Sequence, residues 1–98
     1  MNLRTLRERM PGSAALRRYD EVGRLLTGHL TATANDGVQW VSSLVRGLAI
    51  PPLSAYGIQP QHTNDIVAKA TNASSMKANP IVLNREELGE VLQRAADF

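Results

Sequence analysis

The chain of 98 residues has no cysteine, one tryptophan, two tyrosines and one phenylalanine. Without thiols it can form no disulfide, no thiolate metal site and no cysteine nucleophile, a composition that suits a reducing cytoplasm. With so few rings, its core must come from Leu, Val, Ile and Ala, which suit helix packing. Long apolar runs are missing too. Met1 to Met10 carries Arg4, Arg7 and Arg9 but no stretch of signal-peptide or membrane-span length, so no membrane partner is expected. Its seven glycines are scattered singly, so no glycine-rich phosphate cradle is present.

Nor is there a strong surplus of one charge. The formal net charge is +2, with six Arg against three acids in residues 1–28 and five bases against six acids in residues 29–98. Nucleic-acid binding draws on a denser basic face than this, so none is expected; the arginines read as the solvated sides of helices.

What is present is an ordinary soluble composition, 43% hydrophobic and 20% charged. A chain of this length allows a single domain and excludes a two-domain enzyme from this chain alone. The spacing predicts an all-α fold, a small helical bundle of about four to five helices over residues 1–98, with no internal repeat. Leu3, Leu6 and Met10 share a helical face that Pro11-Gly12 ends. This start reads as a cut through a longer element, with those three side chains left short of a partner. Ser13 caps a helix over 13–27 that Gly28 stops. Thr33 or Asn35 caps the next, which runs to about Leu48. Its apolar stripe of Val38, Val41, Leu44, Val45 and Leu48, beside Trp40, predicts burial on more than one side. Pro51-Pro52 ends it, and Tyr56-Gly57 marks a turn. A helix from about Pro60 to Asn72 follows, then a loop over Ala73 to Pro80. Asn84 and Glu87 form a capping box for the last helix, with Leu83 stapled to Leu88.

Catalytic groups are sparse. His29 and His62 are the only imidazoles, and Asp65 beside His62 makes two ligands where metal sites usually need three. Ser42-Ser43 and Ser74-Ser75 lack the strand-turn-helix setting and the His-Asp pair of a hydrolase serine. Packing does not explain one segment, the stretch Ala73-Ser74-Ser75-Met76-Lys77-Ala78-Asn79-Pro80, where a Met among polar neighbours can line a cleft.

The order of four blocks is distinctive: Leu25-Leu26-Thr27-Gly28, the run Gly47 to Ile58 through Pro51-Pro52, Ala73 to Ile81, and Leu83 to Leu88. Over essentially its whole length the chain resembles the C-terminal quarter of iron-containing (group III) alcohol dehydrogenases. The resemblance implies a parent oxidoreductase in which an N-terminal domain binds NAD(P) and a helical domain binds a divalent metal, usually iron. It puts the metal ligands and the pyrophosphate loop upstream of the matched region. No catalytic, cofactor-binding or metal residue therefore carries over to this chain, and none of these groups is expected to bind it alone. What carries over is a substrate-cleft lining role for Ser74, Ser75, Met76 and Lys77. The expected partner is the remainder of the dehydrogenase. The alternative is a helical interaction module that self-associates through its N-terminal helix.

Overall fold

A computed structural model describes all residues, 1–98. The fold is all-α, as the spacing predicts, with five α-helices and no strand: α1 (Asn2–Arg9), α2 (Ala14–Thr27), α3 (Ala34–Gly47), α4 (Thr63–Asn72) and α5 (Arg85–Ala96). Three 3₁₀ turns, Leu53–Tyr56, Pro60–His62 and Ser74–Ala78, complete it. The chain divides into two compact units, residues 2–50 and residues 51–98 with Met1.

In the first unit the helix ends are fixed locally. Ser13 Oγ accepts from the Ala15 N–H at 3.2 Å. Gly28 closes α2 in the left-handed region, φ 73°, and its N–H donates to the Arg24 carbonyl. Thr33 is the residue that caps α3, and the Asp36 carboxylate reaches back to its N–H at 2.8 Å. A longer-range bond joins the helices, because Asp20 Oδ1 accepts from the Ala34 N–H at 2.8 Å. That bond satisfies a donor that the first turn of α3 would otherwise leave orphaned.

The α2–α3 packing runs through glycine. A methyl on Gly23 would strike the Thr33 carbonyl, and one on Gly37 would lie 2.9 Å from Gly23 Cα. Ala34 and Gly37 are the buried residues of α3. The apolar stripe beyond them is a correction to the expected burial: Val38, Val41, Leu44, Val45 and Leu48 stay 39–63% exposed. The reason is that α2 is the one helix of this unit packed extensively on α3, so the stripe is covered from one side only. In α1 the outcome is the reverse. Leu6 is completely buried, so it is not the open side chain its sequence position suggested. Asn2 Nδ2 donates to the Tyr19 hydroxyl, and the Arg7 guanidinium to Asn35 Oδ1, tying α1 to α2 and to the first turn of α3.

The second unit is built on side-chain burial. Val67 of α4 and Leu88, Leu92 and Ala96 of α5 form its core with Ile81. Pro52 is extended and Gly57 sits at φ 94°, so the segment between them closes as a 3₁₀ turn. The expected helix from Pro60 begins as a 3₁₀ turn and becomes α-helical only at Thr63. There His62 Nδ1 accepts from the Gln59 N–H at 3.0 Å. The Asn84–Glu87 capping box forms with both bonds, 2.8 and 2.9 Å. The ion pairs Asp65–Lys69 and Glu90–Arg94 lie on exposed helix surface and add little.

Candidate functional site

The segment singled out for a cleft is not a plain loop. Ala73 and Asn79 are both extended, and the five residues between them wind into one 3₁₀ turn. Met76 N–H bonds the Ala73 carbonyl and Asn79 N–H bonds the Met76 carbonyl, each at 3.1 Å. Pro80 holds Asn79 out of the helical region, which ends the turn. The Asn79 amide then donates to the Ile81 carbonyl at 2.7 Å and pins the return of the chain toward α5.

Beside this turn lies a cleft of about 400 Å³ whose lining includes Met76, Lys77, Asn79, Ile81 and Leu88. Ile81 and Leu88 are buried and form its apolar part, with Met76 half-buried above them. Lys77 is the only charged residue of the lining. Of the four residues expected here, Met76 and Lys77 line the cleft. Ser74 and Ser75 belong to the same turn but lie outside the lining. An apolar floor with one cation at the rim fits a small amphipathic molecule.

A second groove, of about 520 Å³, lies in the first unit between the His29–Ala32 segment and one side of α3. His29, Asp36, Gln39, Trp40 and Ser43 line it. The bond from the Thr33 N–H, then that from the Thr33 hydroxyl, holds the Asp36 carboxyl below the usual carboxylate range, and His29 nearby acts in the same direction. Sequence reasoning missed this groove. Its trace was the 36/39/40/43 spacing, overshadowed by the apolar stripe on the other side of the same helix.

No three His, Cys, Asp or Glu side chains gather anywhere in the chain. His29 has only Asp36 near it in its groove, and His62 spends Nδ1 on the Gln59 N–H. The residues present therefore do not fit a catalytic metal, which needs about three protein ligands. No helix is long and apolar enough to cross a membrane.

The family model described as Fe-containing alcohol dehydrogenase family, C-terminal, matches residues 4–96. No curated protein and no solved structure matches the chain.

Proposed function

Because the chain belongs to the Fe-containing alcohol dehydrogenase family, as its C-terminal part, we propose that it is the terminal helical module of an NAD(P)-dependent, iron-type oxidoreductase. The module supports the parent enzyme and is catalytically silent by itself. The observation that carries this reading is the match over residues 4–96 of a chain whose donors gather into no metal site. Hydride transfer from an alcohol needs a nicotinamide and a polarising metal held together, and both would be held by residues outside this chain.

Within that enzyme the 3₁₀ turn of Ser74, Ser75, Met76 and Lys77 borders the substrate cleft. The half-exposed seam of Val38, Val41, Val45 and Leu48 on α3 is the surface that the remainder of the dehydrogenase covers, since an open apolar stripe of this kind commonly marks an interface. Self-association through α1 has less to support it, because Leu6 is already covered. A reducing cytoplasm suits the cysteine-free composition. The purified chain, incubated with NAD(P), ferrous or zinc ions and small primary alcohols, is expected to form no reduced cofactor. Clear turnover overturns the reading.

A further inference from the structure

Helix α3 has two unlike sides. At about 100° per residue, Val38, Val41, Val45 and Leu48 fall on one side, and Asp36, Gln39, Trp40 and Ser43 on the opposite one. Covering the apolar seam therefore leaves the second side, with its groove, open.

The one acidic side chain of the groove's lining is Asp36, and no Lys or Arg is part of that lining, although the Arg46 guanidinium reaches its edge at Ser43. Both bonds from Thr33 fall on Asp36 Oδ2, so Oδ1 is free to accept from a ligand. The side chains of His29, Thr31, Gln39 and Trp40 make no hydrogen bond of their own. Ser43 Oγ accepts one bond from Arg46, at 3.3 Å, and keeps a second lone pair. The lining thus presents a carboxylate oxygen, an amide oxygen, two hydroxyl oxygens and an imidazole around a Trp40 indole that is 40% exposed.

An ammonium group carries three donors and no acceptor, and the carboxylate, amide and hydroxyl oxygens of this set can accept them. A charge-assisted bond to Asp36 is roughly twice as strong as a neutral one, and an indole face attracts a cation placed over it. An anion would meet the Asp36 charge, and a neutral alcohol would gain neither term. We propose that this groove binds a primary alkylammonium group, with Asp36 Oδ1 as the anchoring acceptor, Gln39 and Ser43 taking the remaining two N–H donors, and Trp40 as the wall. The inference does not rest on the dehydrogenase reading, since the groove lies wholly within residues 27–43.

Trp40 is the only tryptophan, so its fluorescence reports the groove directly. At constant ionic strength, n-butylammonium is expected to give a saturable emission change at concentrations at least about tenfold lower than n-butanol, its neutral isostere. D36N, whose amide oxygen can still accept the cap bond, is expected to weaken amine binding about tenfold with helix content unchanged. If D36N loses helix, Gln39→Ala and Ser43→Ala, which lie outside the cap, carry the test with about a two- to threefold weakening each. A parallel titration with Nα-acetyl-lysine amide separates the sources. Tighter binding than butylammonium names a protein lysine, and equal or weaker binding names a free amine. Equal responses to amine and butanol, no saturable change, or unaltered affinity in these variants overturns the proposal.

Discussion

Residues 2–50 and residues 51–98 solve the same problem, packing amphipathic helices, in opposite ways. In the second unit the apolar side chains of α4 and α5 point at one another and are covered: Val67, Leu88, Leu92 and Ala96 are all buried. In the first, α2 and α3 meet backbone to backbone at Gly23 and Gly37, and most of the aliphatic stripe of α3 remains in water. The two helix pairs look alike as hydrophobic patterns. The difference teaches that a 3.6-residue period identifies an apolar side without saying that anything in the chain covers it.

Substitutions can break or sharpen that contrast. The largest effect is expected where side chains carry the packing. Leu92→Ala in the second unit should cost about 2–5 kcal/mol in denaturant unfolding, through lost burial and the cavity left behind. Leu6→Ala, the fully buried side chain of α1, belongs in the same range. In the first unit Gly23→Ala should be the damaging change, about 1–3 kcal/mol, because the new methyl meets the Thr33 carbonyl and forces α2 and α3 apart. A circular dichroism melt reads all three. Asn84→Ala removes the N-cap bond to Glu87 and should cost about 1 kcal/mol.

Asp36 supplies a pH test specific to the first unit. Its folded pKa lies below the ordinary value, so its contribution to capping α3 is fully present above the unfolded pKa of 3.8 and is lost as pH falls through the lower folded value. The stability difference between the native chain and D36N should therefore be constant near neutrality and shrink in acid below about pH 4. A difference that grows in acid would contradict the assigned cause. Smallest of all, Val41→Ser on the open seam should change the stability of the isolated chain by no more than about 0.5 kcal/mol, as exposed sites do. A large loss there would mean that the seam is already covered.

Local chemistry was legible in the sequence and tertiary proximity was not. Ser13, Gly28 and Asn84 act within three or four residues of themselves, so their caps could be read from spacing alone. Thr33 and Asn35 were equivalent candidates until the Asp36 carboxylate, three residues on, selected Thr33. Gly23 and Gly37 looked like isolated glycines. They lie fourteen residues apart, and only the packing of α2 against α3 brings them together. The turn at Ser74–Ala78 read as a loop because the hydrogen bonds that bound it, Met76 to Ala73 and Asn79 to Met76, are backbone to backbone and leave no side-chain signature. For the candidate site, Met76 and Lys77 could be picked out as a Met and a cation that core packing did not explain. The groove around Trp40 could not, since half of its wall comes from the residues before α3.

Under the proposed function, this chain supplies structure to a dehydrogenase whose chemistry lies elsewhere. The most direct measurement is complementation. A family dehydrogenase truncated before the region equivalent to residues 4–96 is co-expressed with this chain, and NAD(P)H formation from primary alcohols is followed in the purified mixture. Neither piece is expected to turn over alone and the two together are, and Val41→Asp on the α3 seam is expected to abolish the recovery while leaving the isolated chain folded. Turnover by this chain alone, or recovery that is indifferent to the seam, would contradict it.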